Sequence, residues 1–263
     1  MSSFILFFKK EIVEQIKTIK GVVLAIIFLF IGISSPLLAK LLPEILKMAT
    51  TSDNASQELM DSLSALMPPP NSLESYNQFF SNFNQIGLLA LIIVFAGIVA
   101  NEKSKNTASY ILTKNISRTQ FIMAKFTSSV IFTFVSVIIT AGTFKIYTDL
   151  LFDDSLVDFK YFITFFALLL LYVFFILTIV LFSSIISKNI TSATFLAFII
   201  FIVFNMLPII PKVGKYMPTE INNIGIIAQS VTVKDLTVNI IITVLCSAAF
   251  IIGGIKLFSR QEL

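Results

Sequence analysis

The sequence contains no histidine, no tryptophan and a single cysteine, Cys246. Without histidine, the Ser-His and Cys-His pairs of nucleophilic catalysis cannot form. A haem, zinc or iron-sulfur centre has almost no ligands to draw on, and one thiol excludes an internal disulfide. Charge is also scarce: 13% of residues are charged against 56% hydrophobic, and the mean hydropathy is +0.92. That composition leaves too little polar surface to cover a soluble globule and indicates an integral membrane protein embedded in the lipid bilayer. Nor is there a phosphate loop, which needs a glycine, four further residues and then Gly-Lys-Ser/Thr. No cofactor and no ATP hydrolysis are therefore expected in this chain. The formal net charge of +4 is spread over residues that flank apolar runs and does not form the basic stripe of a nucleic-acid binder, so no nucleic-acid partner is expected.

What is present is a series of apolar runs. A bilayer core about 30 Å thick needs roughly 20 residues of helix. Five stretches without Asp, Glu, Lys or Arg meet that length: 21–39, 126–144, 161–187, 189–211 and 236–255. A sixth, 86–100, is 15 residues, and Phe79, Phe80 and Phe83 at helical spacing extend it to 79–101. The expected fold is an all-α integral membrane protein of six transmembrane helices in one transmembrane domain, 1–263. Ion-driven carriers keep ionisable groups at membrane depth. All six stretches lack them, which argues against proton or sodium coupling and against a membrane-embedded enzyme.

Orientation follows from lysine and arginine. With both ends inside, 12 basic residues fall inside (Lys9, Lys10, Lys17, Lys20, Lys103, Lys105, Lys114, Arg118, Lys125, Lys188, Lys256 and Arg260) and 7 outside. The positive-inside rule then places both termini in the cytoplasm of a cell-membrane protein.

Residues 2–20 form an amphipathic segment, with Ile5, Phe8, Ile12, Ile16 and Ile19 on one stripe and Lys10, Glu14 and Lys17 opposite. The pattern predicts an interfacial helix, either a plain anchor or an elbow that touches a partner. Ser56 to Met67 reads as a short amphipathic helix stopped by Pro68, Pro69 and Pro70. The acids Asp149, Asp153, Asp154 and Asp158 lack the turn glycine and ligand alternation of a calcium loop. Ser187-Lys188-Asn189 is too short for anything but a hairpin between spans four and five. The half-apolar run 221–233 is too short to cross and is expected to dip into the membrane or lie on it.

The polar stretch 101–125, NEKSKNTASYILTKNISRTQFIMAK, carries five basic residues against Glu102. An acid at the end of span two is followed by Lys103 and Lys105, Thr107, Ile111-Leu112-Thr113, Ile116-Ser117-Arg118, Phe121-Ile122 and Lys125. This order resembles the membrane subunits of type 2 ABC exporters, and the likeness in layout extends over the whole chain. Two positions depart from the family pattern: Asn106 stands where glycine is usual before the threonine, and Asn115 where proline is usual. Asparagine tolerates left-handed backbone well, so the first turn is expected to survive; the second loses a constraint.

The resemblance implies that 102–125 forms a cytoplasmic coupling helix seated in a separate ATP-binding subunit, with Glu102, Lys103, Lys105, Thr107, Arg118 and Lys125 as ATPase-coupling residues. It further implies two ATPase partners, which bind the ATP, and a second permease subunit, identical or not. The uncharged Phe- and Ile-rich spans suit a hydrophobic or amphipathic cargo such as a peptide, lipid or drug. By charge alone, the loop reads instead as a solvated positive-inside segment that binds lipid phosphates, in a structural or sensor membrane protein that transports nothing.

Overall fold

A computed structural model describes residues 3–49, 70–113, 116–153, 156–210, 214, 216–221 and 233–261. The expected helix 56–67, Asp154, Asn115 and nearly all of the 221–233 run lie outside them. Among the described residues the regular structure is all helical, without strands. We label the helices α1 (Ser3–Lys17), α2 (Ile19–Ala49), α3 (Ser72–Asn82), α4 (Leu88–Phe95), α5 (Ala100–Ser104), α6 (Thr107–Leu112), α7 (Arg118–Leu151), α8 (Phe159–Ile186), α9 (Ile190–Met206) and α10 (Val233–Ser259). A π turn, Phe83–Gly87, joins α3 to α4.

Six segments are long and apolar enough to cross a membrane: Ile19–Leu42, Ser72–Ser104, Arg118–Leu151, Phe159–Ile186, Ile190–Ile209 and Leu236–Ser259. The second and third outrun their sequence estimates because a boundary drawn at the first charge ignores the reach of long side chains at helix ends. Glu74, Lys145 and Asp149, for example, are all inside helices, the last two as an ion pair one turn apart. The second span begins where Asn71 caps it, its side chain accepting from the Glu74 amide at 2.8 Å.

Span α8 is the most buried and forms the spine, packing against α10, α9 and α4. Tyr172, Phe175, Ile176 and Val180 are fully enclosed. A second seam joins α2 to α7. There α7 buries Ser128, Ser129, Thr133, Ser136 and Thr140, and hydroxyls such as that of Ser136 donate to the carbonyl one turn back, at 2.9 Å to Phe132 O. Small residues let the helices approach: a Cβ on Gly32 of α2 would lie 3.0 Å from Thr140. At the far end Phe144, Tyr161 and Phe165 pack edge-on against Tyr76, with Tyr76 to Phe144 centroids 4.9 Å apart, a geometry worth about 0.5–1.5 kcal/mol per pair beyond burial, and Phe79 packs in turn on Phe144 and Phe166.

The junction of α1 and α2 is a sharp elbow at Thr18. Gly21 makes it possible, since a Cβ there would fall 2.0 Å from the Gln15 carbonyl oxygen. The elbow folds α1 back on α7. The face turned to α7 is not the isoleucine stripe: Phe7 and Glu11 are buried, whereas Ile5, Ile16 and Ile19 are exposed. The N-terminal helix thus has three faces: apolar outward, charged, and one packed on the bundle.

Candidate functional site

The loop between spans two and three, the N-terminal helix and the end of α10 gather at one end of the bundle. The last turn of span two is broken there. Residues 96–99 form a non-helical turn before α5, and the amides of Val99 and Ala100 both donate to Ser184 Oγ of α8 at 3.0 Å. A hydroxyl oxygen has two lone pairs, so one serine satisfies both exposed donors. The break turns the chain so that α5 presents Glu102 inward and Lys103 toward α8.

At the centre lies Lys125 of α7, 3% exposed. Its Nζ donates to Glu102 Oε1 at 2.7 Å and to Glu11 Oε2 at 2.9 Å, and it lies 5.5 Å and 5.8 Å from the ring centroids of Phe121 and Phe7. One ammonium therefore holds a carboxylate from α1 and another from α5 against α7, beside two aromatic rings. Lys10 extends the network to Glu11 at 3.0 Å and Glu14 at 2.8 Å. For Lys10, burial opposes the charge, but the bonds to Glu14 and Glu11 outweigh it and hold the ammonium well above the usual lysine range. For Glu14, burial pushes the carboxyl up, but Lys10 and then Lys125 outweigh it and hold it below its ordinary value.

Two other basic residues of the loop cap helix ends. Lys103 Nζ donates to Ile185 O at 2.6 Å, in the last turn of α8, and to Gln261 Oε1 at 2.9 Å. Arg118 Nη1 donates to the carbonyls of Phe258, Ser259 and Gln261 at 3.2, 2.9 and 2.7 Å. Both place a cation on the unsatisfied carbonyls and the negative pole of a helix C-terminus. Lys40 does the same at the opposite end of the bundle, donating to Leu151 O of α7 at 2.8 Å.

The loop's two turns differ in origin. Asn106 has φ 55°, the left-handed region, so asparagine does adopt the turn conformation expected of it. Asn106→Gly should therefore be neutral within a few tenths of a kcal/mol, while Asn106→Val should lose about 1–2 kcal/mol, read as the difference in unfolding free energy in detergent. The second turn is held without proline by a capping box: Ser117 Oγ accepts from the Gln120 amide at 3.2 Å while Gln120 Oε1 accepts from the Ser117 amide at 3.0 Å.

Of the six expected coupling residues, then, the fold brings Glu102 and Lys125 together in a buried pair and turns Lys103 and Arg118 onto helix ends. Lys105 and Thr107 stay exposed, with the Thr107 hydroxyl donating to Glu102 O at 3.2 Å. Tyr110, 64% exposed, joins them on the outer side of α6. Glu11 is the central residue that the sequence did not single out. Its signal is a glutamate one turn after Phe7, on the face of α1 that carries Phe4 and Phe7. Among the described residues no group of three or more metal-ligating side chains occurs.

The sequence model of a family described as ABC-2 family transporter protein matches residues 5–232. The chain is also similar to the uncharacterized transmembrane protein YxlG of Bacillus subtilis (strain 168), 26% identical over 185 residues that cover 70% of this chain and 68% of the relative. With six membrane-length helices and a match that spans the N-terminal helix, all of the loop and most of the bundle, the chain belongs to the ABC-2 transporter family, as a membrane permease subunit of an ABC transporter.

Proposed function

We propose that this permease is the export channel subunit of an ATP-driven transporter, with residues 101–125 docking a separate ATP-binding subunit. In this reading both termini and the loop face the cytoplasm of the cell membrane, and a second permease, identical or not, completes the pathway. The cargo is hydrophobic or amphipathic: a peptide, lipid or drug. The supporting observation is that the loop is two-sided. Its inner side is tied to four helices by Lys125 with Glu11 and Glu102, by Lys103 and by Arg118, while Lys105, Thr107 and Tyr110 point out. An element rigidly joined to α1, α7, α8 and α10 moves them together when a partner moves its outer face. The charges of the described spans cluster at their ends and leave the middles apolar, which suits a cargo that needs no desolvated counter-charge.

The reading is tested by purifying the chain in mild detergent with whatever ATPase accompanies it, and comparing wild type with a Lys105→Glu, Tyr110→Ala double variant. Both side chains are exposed, so melting temperature should be unchanged. A polar-rim charge reversal plus loss of an aromatic anchor is expected to lower recovered ATPase activity about tenfold or more. Equal recovery from both proteins would refute the docking role of this face, and no ATPase with wild type in several detergents would favour a membrane protein that transports nothing.

A further inference from the structure

The second span carries a polar stripe on a face that the bundle leaves open. Gln78, Ser81 and Gln85 follow one another at helical spacing; Gln85 is exposed and the other two are half-buried. The aromatic face opposite, with Tyr76, Phe79 and Phe83, is enclosed. Gln85 lies within the π turn, where Leu88 N–H reaches back to Phe83 O, and such turns inside helices often mark functional positions.

The stripe lies at membrane depth. Asn82 Nδ2 donates to Ser35 Oγ at 3.1 Å, which sets this part of span two level with a residue seven positions before the end of Ile19–Leu42. At 1.5 Å per residue Ser35 is about 10 Å from that end, and Gln85, three residues further along the antiparallel helix, is about 15 Å from it. Hydrocarbon offers a glutamine no hydrogen-bond partner. Bonds within the helix meet only part of the need. Gln85 Nε2 donates to Ser81 Oγ at 3.0 Å and Gln78 Nε2 to Asn82 Oδ1 at 3.4 Å, but the side-chain carbonyl of Gln85 accepts nothing among the described residues.

The chemistry of the face indicates what covers it. From Ser75 to Asn101 there is no Asp, Glu, Lys or Arg, so an identical face does not repel it, and a phosphate or carboxylate finds no cation there. Glu74, a turn nearer the end of the span, accepts from Asn77 Nδ2 at 3.2 Å. Each glutamine amide is donor and acceptor at once, so two of them related by a two-fold axis satisfy each other. Exposed Leu89 and Ile93 continue the stripe, giving about 22 Å of helix surface from Gln78 to Ile93. A cargo would cover the stripe only in passing, whereas the unmatched amides are permanent and call for a permanent partner.

We propose that two copies of this chain meet along this face, with Gln78 and Gln85 hydrogen-bonding across a two-fold axis and Leu89 and Ile93 packing beneath them. The inference rests on the paired-permease reading above and makes the second permease a copy of this chain.

The test is cross-linking in native membranes, in a Cys246→Ser background where an introduced cysteine is the sole thiol. With a short bismaleimide, Ser81→Cys and Gln85→Cys should each give covalent dimers at least fivefold above Ile138→Cys on α7 and Phe195→Cys on α9, two positions that are also exposed. A second measurement removes the amides. Gln78→Leu with Gln85→Leu suits a lipid-facing helix and should leave the monomer folded, while the dimer dissociation constant, read by native mass spectrometry over a dilution series in detergent, rises about tenfold, the scale of two interhelical side-chain bonds. Cross-linking confined to the α7 or α9 positions, or an unchanged dissociation constant in the double variant, would overturn the proposal and leave the paired reading standing. A chain that stays monomeric at every concentration while an ATPase still accompanies it would also overturn it, in favour of a non-identical second permease.

Discussion

Replacing Lys125 by methionine should be among the most damaging single substitutions in the chain. The variant keeps an unbranched side chain, one atom shorter, in its place between Phe7 and Phe121, but it leaves the largely buried Glu102 without a counter-charge and the buried Glu11 with only the exposed Lys10. Breaking a buried ion pair from one side costs about 3–5 kcal/mol, a large part of the roughly 5–15 kcal/mol that holds a typical domain. Expected results are a strongly reduced yield in the membrane and a melting transition in detergent many degrees below wild type. Lost charge and lost packing predict different rescues. If the cost is electrostatic, adding Glu11→Gln and Glu102→Gln to Lys125→Met should recover most of the stability, because the three neutral side chains no longer demand a counter-charge. A triple variant no more stable than Lys125→Met would show that the cluster contributes through shape, and the electrostatic account would fail. A further contrast separates stability from transport. The neutral triple variant loses the tie between α1, α5 and α7, so under the coupling proposal it should fold yet remain inactive.

That cluster also marks where the sequence stops being readable. The apolar runs, their number and their order are plain, because about 20 apolar residues in succession are hard to bury except by crossing a bilayer. The left-handed turn at Asn106 follows from a residue type with a known steric tolerance. The role of Ser117 is equally local, since Ser-Arg-Thr-Gln has the spacing of a capping box, but the family pattern draws attention to Arg118 instead. Glu11 and Lys125 are different. They are 114 positions apart, and each sits among residues that suggest an ordinary membrane-edge charge. Counting them as topology signals gives no hint of the contact between them. The N-terminal helix shows the same limit. Its isoleucine stripe is real, yet Ile5, Ile16 and Ile19 face outward, because a helix at the rim of a bundle has one apolar face for lipid and another for protein. Periodicity detects an apolar face without saying which neighbour it meets.

Arg118 provides the second large effect, on motion more than on stability. Its Nη1 carries two protons and serves three carbonyls at the end of α10, so one bond is shared and the arginine clasps the whole last turn. Lysine in its place carries the same charge, but a tetrahedral ammonium on a flexible stem cannot keep that arrangement. With charge-assisted bonds contributing about 1.5–3 kcal/mol each, and part of that recovered from water at a half-exposed site, Arg118→Ala should release about 2 kcal/mol locally. That energy corresponds to roughly 30-fold faster amide exchange. Hydrogen exchange read by mass spectrometry should show the increase over residues 256–261 and leave α8 and the α2–α7 seam protected as in wild type. Arg118→Lys should fall between the two. A uniform rise across the chain would mean that Arg118 supports the global fold, and the clasp would then be no separate mechanical part. If the loss is local, transport supplies the decisive comparison. Under the coupling proposal, an ATPase that still docks on Lys105 and Tyr110 would go on hydrolysing ATP, while α10 no longer follows the loop, so hydrolysis should persist as export falls. Lys103 offers the matching control at α8, where its bond to Ile185 O is backed by Gln261 Nε2 at 3.2 Å. Lys103→Ala keeps that second donor and should therefore perturb its helix end less than Arg118→Ala perturbs α10.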